Sequence, residues 1–268
     1  MSDISIHSMA EFMAVVDEIT KVKRKTLAWR GQADAGWALT SSLFRKTVTD
    51  QDQRVCESAL ERVEEDMLAF CRSRWQLGKK PSLQILAELQ DSETPTRLIP
   101  VTHSPMVAMF FASDYKTNTE ADEHDGRLYV FEPSTSLNRV DPDTTELPWG
   151  GVVKGSWVTE PPCVWHPPTP TPKQQIQEQA YLVGGVPKSG GNSVPVRVVE
   201  QTQDFTVDGS TCLTLRVPAE SKVALRQSLR EGFGIQWSTL YPGIHGMSKA
   251  VQRWMVNVMP DLDGVVIR

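Results

Sequence analysis

The sequence predicts an α+β fold in which a helical N-terminal half packs on a strand-rich core. Apolar residues recur at helical spacing through the first part of the chain, up to residue 112. After residue 126 the pattern changes to short apolar runs bounded by turn residues, which is typical of strands. Helices that precede a cluster of strands favour this class over a wound βαβ sheet.

Four helices are predicted before residue 113, and three of them have recognisable starts. Ser8 is a capping residue for the first helix, and Pro81 precedes the third. Ser104 followed by Pro105 combines an N-cap with proline at the first helical position, so the apolar run after it predicts a fully buried helix. These helices cover residues 9–19, 55–75, 82–89 and 106–112.

The strands are predicted from short runs of β-branched and aromatic residues. One early strand, residues 26–29, is closed by Arg30 and followed at once by glycine. Two more helices, residues 219–230 and 247–258, end the chain. The remaining predicted strands are residues 127–132, 151–158, 180–184, 194–199 and 211–217.

Composition indicates a single domain over residues 1–268 with a sizeable core. The chain is 40% hydrophobic and contains no internal repeat or convincing boundary. Residues 159–172 are rich in proline and cannot form a central strand, so they predict a semi-rigid loop. No run is apolar enough for a membrane span or a signal peptide, and four scattered cysteines suit free thiols in a reducing cytoplasm.

A candidate site follows from Arg30 and from the Ser104 helix start. Arg30 at a strand end, beside the glycine at position 31, presents a guanidinium next to backbone that a ligand can approach closely. A helix N-terminus carries free N–H groups and the positive end of the helix dipole. Together these features predict binding of a phosphorylated ligand. The histidines have no metal-ligand spacing, so no metal is expected: His103, His124, His166 and His245.

These residues resemble the FRG domain family. The family signature has an aromatic-Arg-Gly-Gln element, then a Pro-Thr-Arg-Leu segment, then Thr-x-Ser-Pro and an apolar helix that ends in Phe-Ala. Three positions depart from it: Asp91 replaces a histidine, Glu93 a glycine and Pro100 an aspartate. The matching residues are Trp29-Arg30-Gly31-Gln32, Leu89-Gln90, Pro95-Thr96-Arg97-Leu98, Thr102, Ser104-Pro105 and Phe111-Ala112.

The order of these elements also resembles mono-ADP-ribosyltransferases of the Arg-Ser-Glu type, which implies a split-sheet core and NAD as co-substrate. By that resemblance Arg30 would hold the pyrophosphate or ribose side of NAD, Thr102 or Ser104 would support the nicotinamide pocket, and Glu178 would steady positive charge on the ribose. The implied cofactor-binding set is Arg30, Gly31, Gln32, Arg97, Thr102 and Ser104, and the implied substrate-orienting pair is Gln177 and Gln179.

The implied function is a toxin or defence effector that transfers ADP-ribose to a macromolecule, with a neutralising partner such as an antitoxin. RNA or another nucleic acid is slightly favoured as acceptor over protein, because Trp149, Trp157 and Trp165 offer stacking surfaces. Basic residues 21–25, with Arg72 and Arg74, offer phosphate contacts despite the net charge of −5.

Purely structural roles for the same residues stay open. Arg30 and Arg97 could be buried arginines that bond backbone carbonyls and a carboxylate. Thr102 and Ser104 could be only turn and capping residues, and Glu178 could be a solvated glutamate. The alternative function is a non-catalytic module that binds or senses a nucleotide or nucleic acid in a phage-defence or toxin–antitoxin system.

Overall fold

The structure is a computed structural model that describes most of the helices and the central sheet. The described residues are 4–23, 26–37, 39–47, 57–114, 123–131, 143–149, 163–183, 188–189, 192–193, 205–207, 210–244, 246–248 and 250–251.

Strands from both halves of the chain form one mixed sheet of eight strands within the described residues. Its order is β1-β10-β4-β2-β3-β6-β5, with β9 also paired to β10; β1 runs parallel to β10 and the other pairs are antiparallel. A separate two-stranded sheet is formed by β7 and β8. The strands are β1 Ile4–Ser5, β2 Ala28–Gln32, β3 Ile99–Thr102, β4 Gly126–Phe131, β5 Cys163–Trp165, β6 Gln179–Val183, β7 Lys188–Ser189, β8 Asn192–Ser193, β9 Phe205–Val207 and β10 Ser210–Val217.

Eight α-helices have defined bounds among the described residues, together with a 3-10 turn at Ala219–Ser221 and further helical residues between 243 and 251. Ser8 accepts a hydrogen bond from the Glu11 backbone N–H, as expected of a residue that caps the first helix. The helices are α1 Met9–Lys23, α2 Ser42–Thr47, α3 Glu57–Trp75, α4 Ser82–Asp91, α5 Pro105–Ser113, α6 Pro172–Ile176, α7 Lys222–Phe233 and α8 Trp237–Leu240.

One face of the sheet is covered by helices in two apolar clusters. Over β10, β4 and β2, residues of α1, α5, α7 and α8 pack against Trp29, Leu128 and Val130. Over β3, β6 and β5, residues of α3 and α4 pack against Tyr181 and Trp165. Strand alternation assigns the residues between these to the opposite face, where a third cluster is formed by Ala28, Ile99, Val101, Tyr129, Val164, Ala180 and Leu182 together with Leu39.

Two glycines let α5 lie directly on the sheet. A Cβ atom built at Gly31 would lie 2.6 Å from the Ala112 backbone nitrogen and would collide with the Ala108 carbonyl oxygen. One built at Gly126 would collide with the Ala112 carbonyl oxygen. Glycine is therefore needed at position 31 because α5 packs against its backbone. The sequence predicted instead that this backbone is open to a ligand, and on the side of α5 that prediction is wrong.

The mixture of helices and strands predicted from the sequence is confirmed, but the segregation into early helices and late strands is wrong. The early strands β2 and β3 lie in the middle of the sheet, between β4 and β6. β2 also continues through Gln32 instead of ending at Arg30, because it pairs with β4 along its whole length. The prolines of 159–172 leave room for a short strand, and β5 lies at the sheet edge, where proline is tolerated.

The other helix starts agree closely with the predictions. The last predicted helix, 247–258, lies partly outside the described residues. Its residues 247, 248, 250 and 251 are helical, and 252–258 are not described. The predicted strands 151–158 and 194–199 also lie outside the described residues. Within the described part of the chain, no helix is both long and apolar enough to cross a membrane.

Candidate functional site

Arg30 is a largely buried guanidinium that lacks a carboxylate partner among the described residues. One terminal nitrogen donates to the Pro100 carbonyl oxygen at 2.7 Å, and its Nε is buried without a hydrogen-bond partner. Burial and, to a smaller extent, the positive charge of Arg45 together lower the pKa of Arg30 to about 10. A buried cation held by a single carbonyl is an incomplete arrangement, because buried charges are normally paired.

Other polar groups lie beside Arg30 on this part of the sheet face. Gln32 lies two residues along β2, so its side chain leaves the same face, and its Oε1 is also buried without a partner in the described structure. Tyr129 is the cross-strand neighbour of Arg30 in the β2–β4 ladder. Arg45, on α2, donates to the Thr40 carbonyl oxygen at 2.6 Å and adds a second positive charge.

Thr102 and Ser104 form the turn that joins β3 to α5, and their hydroxyls serve the backbone. The Thr102 hydroxyl donates to the Gln177 carbonyl oxygen at 2.6 Å and accepts from the Ser104 N–H at 3.0 Å. The Ser104 hydroxyl accepts from the Val107 N–H at 3.4 Å, so Ser104 is the N-cap of α5 as predicted, with Pro105 at the first helical position. The free N–H groups of α5 begin at this turn.

The Gln-Glu-Gln segment before β6 is joined to the same turn. The His103 N–H donates to the Glu178 carbonyl oxygen at 3.0 Å, and Thr102 and Gln179 are partners in the β3–β6 ladder. Glu178 is exposed and has a φ of +45°, a left-handed conformation that a glutamate adopts only under constraint. Gln177 is buried and donates to the Leu240 carbonyl oxygen at 3.0 Å, whereas Oε1 of Gln179 is buried with no partner in the described residues.

The predicted catalytic residues are therefore connected through β3, but they do not all leave the same face. Trp29 pairs with Thr102, and Thr102 pairs with Gln179, so these three side chains share the helix-covered face. Arg30 follows Trp29 and leaves the opposite face, although its guanidinium reaches back to the Pro100 carbonyl of β3. A single cleft lined by Arg30, Thr102, Ser104 and Glu178 stays a prediction.

Arg97, predicted to contact a cofactor, is instead part of a buried ion pair. Its Nε lies 2.8 and 2.9 Å from the two Glu64 carboxylate oxygens, and a terminal nitrogen lies 2.6 Å from Oε2. The Trp149 indole N–H donates to the same carboxylate at 2.9 Å, and the Arg97 guanidinium lies 4.1 Å from the centre of the Trp149 rings. Arg97 therefore has the structural role that the sequence left open, because Glu64 on α3 faces the segment that leads into β3.

The predicted nucleic-acid contacts are also changed by the structure. Trp149 and Trp165 are 1% and 4% exposed, so neither offers a stacking surface, and Trp157 lies outside the described residues. Arg72 donates to the Lys80 carbonyl oxygen at 3.3 Å and to the Ser82 hydroxyl at 3.0 Å. Arg74 remains exposed at the end of α3.

Sequence reasoning missed a histidine pair at the same end of the sheet. Nε2 of His103 lies 2.6 Å from Nε2 of His166, the two ring planes are within 13° of parallel with centroids 4.9 Å apart, and Nδ1 of His103 lies 2.8 Å from the Leu27 carbonyl oxygen. His103 directly precedes Ser104. The spacing of the histidines bears only on metal binding, and a contact over sixty-three residues leaves no local signal in the sequence.

Comparison with known families bears on the segment that contains most of these residues. Residues 25–121 match the FRG domain family. The matched segment includes β2, β3 and α5, and with them Arg30, Arg97 and the Thr102–Ser104 turn. No curated protein and no solved structure shows a significant match to the chain.

The three departures from the FRG signature have distinct structural settings. Glu93 stands where the signature has glycine, and its φ is +68°, which explains why glycine suits that position. Asp91 accepts a hydrogen bond from the Thr171 hydroxyl at 2.8 Å and pairs with Lys173 at 3.0 Å. Pro100 brings no carboxylate to the neighbourhood of Arg30, which is bonded there to backbone alone.

Proposed function

We propose that the chain binds NAD through Arg30 and transfers its ADP-ribose group to a macromolecular acceptor. The observation that carries this proposal is the buried, incompletely bonded guanidinium of Arg30. An ionised side chain held away from water at a cost in free energy, without an opposite charge in the described residues, favours a site whose counter-charge is a ligand.

The chemistry around Arg30 fits the pyrophosphate of a dinucleotide. Its unsatisfied Nε and a second terminal nitrogen form the fork with which arginine bonds phosphate oxygens. Arg45 adds a second positive charge close enough to lower the pKa of Arg30, and a doubly charged group would relieve this repulsion. The unpaired Oε1 of Gln32 offers an acceptor for a ribose hydroxyl on the same sheet face.

Glu178 supplies the carboxylate that the proposed reaction needs. When bound, NAD supplies a ribose carbon that becomes electron-poor as neutral nicotinamide leaves with the electrons of the N-glycosidic bond. A preorganised carboxylate stabilises positive charge that develops in a transition state. Glu178 is exposed, and its left-handed backbone is held by the hydrogen bond to His103, so its direction is constrained.

The neighbouring residues would then hold this carboxylate in place. Thr102 fastens the Gln177 carbonyl and Gln177 is anchored to Leu240, so both act on the position of Glu178 and not on the ligand. Gln179 has an unsatisfied side-chain oxygen and is a candidate to orient the acceptor. Ser104 sets the start of α5, whose free N–H groups favour negative charge.

A non-catalytic module that binds or senses a nucleotide is the second candidate. It is favoured by the engagement of the Thr102 hydroxyl and of Arg97 in structural contacts, because both were expected at the ligand. It retains Arg30 as an anion anchor and requires nothing of Glu178.

Partners of the proposed enzyme follow from its chemistry. An enzyme that depletes NAD damages the cell that contains it, so we propose a neutralising partner protein of the antitoxin type and a role in defence. With Trp149 and Trp165 buried, RNA as acceptor rests on exposed basic residues such as Arg74, and protein remains the other acceptor class.

The test is incubation of the purified chain with labelled NAD and total cellular extract, with release of nicotinamide followed by chromatography. Release and transfer of label are expected, and label that resists protease but not nuclease identifies a nucleic acid. Glu178→Gln should lower the rate by about 10²–10³, whereas Glu65→Gln on the exposed side of α3 should not change it. NAD binding without nicotinamide release would replace this proposal with the non-catalytic module, and absence of binding would refute both.

A further inference from the structure

The contacts of the His103–His166 pair determine which nitrogen of each ring carries a proton. Nδ1 of His103 faces the Leu27 carbonyl oxygen at 2.8 Å, and a carbonyl can only accept, so Nδ1 carries the hydrogen. In the neutral ring, Nε2 of His103 is then an acceptor. The facing Nε2 of His166 at 2.6 Å must donate to it. The free lone pair of the neutral pair is therefore on Nδ1 of His166.

The surroundings hold this nitrogen in a defined place. His166 is exposed, but it lies between Trp165 and Pro167, which are both buried. Its hydrogen bond to Nε2 of His103 joins the two rings, whose planes are within 13° of parallel. His103 is itself bonded through its backbone to Glu178 and is followed by Ser104 at the start of α5. The basic nitrogen of His166 is thus linked through His103 to the backbone of Glu178, which bears the proposed catalytic carboxylate.

We infer that His166 is the catalytic base that removes the proton from the acceptor nucleophile, and that His103 is the residue that positions it. This inference rests on the proposed transfer of ADP-ribose. It adds a residue that lies beyond the segment matched to the FRG domain, and it specifies the chemical class of the acceptor.

The proton that the acceptor loses is taken up by the histidine pair. As the nucleophile forms its bond to the ribose carbon, its bond to hydrogen breaks and the proton moves to Nδ1 of His166, while the electrons of the N-glycosidic bond leave with nicotinamide. The His166 imidazolium so formed donates its Nε2–H to Nε2 of His103. This hydrogen bond is stronger with the charged donor than with the neutral one, so it stabilises the protonated base.

A base is needed only by an acceptor that is uncharged and protic. A hydroxyl or an amine of a nucleotide or side chain must lose a proton during transfer, whereas a carboxylate or a terminal phosphate is already ionised at neutral pH. The pair therefore assigns the acceptor to the O–H and N–H class.

The electrostatic setting keeps His166 ready to accept a proton. Burial of part of the ring lowers the pKa of His166 below its usual 6.5, and a positive charge on His103 would lower it further. Among the ionisable groups of the described residues, His103 is the one that shifts it by charge. His166 is then mostly neutral at pH 7, as a base must be.

Two matched substitutions distinguish loss of the base, His166, from loss of its hydrogen bond to His103. In His166→Gln the side-chain N–H₂ can still donate to His103, but the amide oxygen is not a base, so transfer should fall by about 10²–10⁴. In His103→Asn the amide can still donate to Leu27, but the acceptor for His166 is lost. Transfer should then fall about 10–100-fold, as for loss of one hydrogen bond to a charged group. NAD binding should stay unchanged in both.

The pH profile and nitrogen NMR give the decisive readouts. The parent rate should level off above the pKa of His166, whereas the His166→Gln rate should keep rising with pH because hydroxide replaces the base. In the NAD-free protein at pH 8, His166 should carry its hydrogen on Nε2, and His103→Asn should abolish this preference. Equal rates for parent and His166→Gln, or a hydrogen on Nδ1 of His166, overturn this inference alone. Absence of any transfer by the parent overturns the proposed function together with it.

Discussion

Arg97 and Glu64 form a bidentate ion pair inside the helical half of the molecule, with the Trp149 indole bonded to the same carboxylate. Both ionised side chains are almost completely buried. A Pro-Thr-Arg-Leu motif would be equally useful to a ligand site or to a core, and here Arg97 serves the core. The contact ties α3 to the segment that leads into β3, so it positions β3 and the turn that follows it.

Removing one member of this pair should be far more harmful than its modest net contribution would indicate. Glu64→Ala removes the carboxylate that Arg97 and Trp149 bond in the core, and the free energy of unfolding should fall by about 3–5 kcal/mol. Urea denaturation followed by tryptophan fluorescence measures this. As a control, Glu65→Ala on the exposed side of α3 should change stability by less than about 0.5 kcal/mol. A Glu64→Ala protein as stable as the control would mean that Arg97 finds another partner.

Gly31 provides a test of the contact between α5 and the sheet. Gly31→Ala would place a methyl group against the backbone of Ala108 and Ala112, which has no freedom to rotate away. The midpoint of thermal unfolding should fall by several degrees, since overpacking costs about 1–3 kcal/mol. Gly78→Ala is the matched control, because a Cβ at Gly78 meets no atom within 4 Å. A fall of the same size in both variants would show that the effect does not come from the contact with α5.

The features that sequence alone predicted well are the local ones. Ser104 and Pro105 start a helix because their own backbone and hydroxyl chemistry suits that position, wherever the helix later packs. The apolar composition of α5 likewise indicated burial without revealing its neighbours. Strand β2 was predicted too short because its last residues pair with β4, nearly one hundred residues later, and not because of their own propensity.

The features that were missed depend on partners far away in sequence. Nothing next to Arg97 indicates that Glu64 will face it, and nothing next to His103 indicates His166. Arg30 was identified correctly as unusual, but its unsatisfied Nε became visible only when the surroundings of β2 were known. Sequence therefore predicted candidate residues, whereas the structure decides which of them already have a structural partner.

Phe110 should be among the largest single contributors to stability. It is 5% exposed, lies on α5, and makes edge-to-face contacts with Phe111 and Trp237 at centroid distances of 5.3 and 5.7 Å. Phe110→Ala should destabilise the protein by about 3–5 kcal/mol in chemical denaturation. Phe70→Ala is the control, because Phe70 is 56% exposed and its loss empties no cavity. Similar effects at the two positions would contradict the packing described for α5.

The Arg30 side chain should lower the free energy of unfolding while it contributes to NAD binding. Arg30→Met keeps the length of the side chain but removes a buried charge that lacks a described carboxylate partner, so the free energy of unfolding should rise by about 1–3 kcal/mol. NAD should raise the melting temperature of the parent and not of this variant. Arg74→Met, at an exposed position, should match the parent in both measurements. A destabilised Arg30→Met protein would show that Arg30 is structural and would remove the main support for a ligand there.

Replacement of Glu178 by glycine should have opposite effects on stability and on activity. Its φ of +45° is unfavourable for glutamate and natural for glycine, so Glu178→Gly should relieve strain and stabilise the fold by about 0.5–1 kcal/mol. The same change removes the proposed carboxylate, so nicotinamide release should fall by about 10²–10³. Glu93→Gly is the matched control: its φ of +68° predicts a similar gain in stability, and activity should be retained because Glu93 is not part of the proposed site. Thermal unfolding and the NAD assay on the same preparations measure both effects. A Glu178→Gly protein that is more stable and still active would show that the reaction does not need the Glu178 carboxylate.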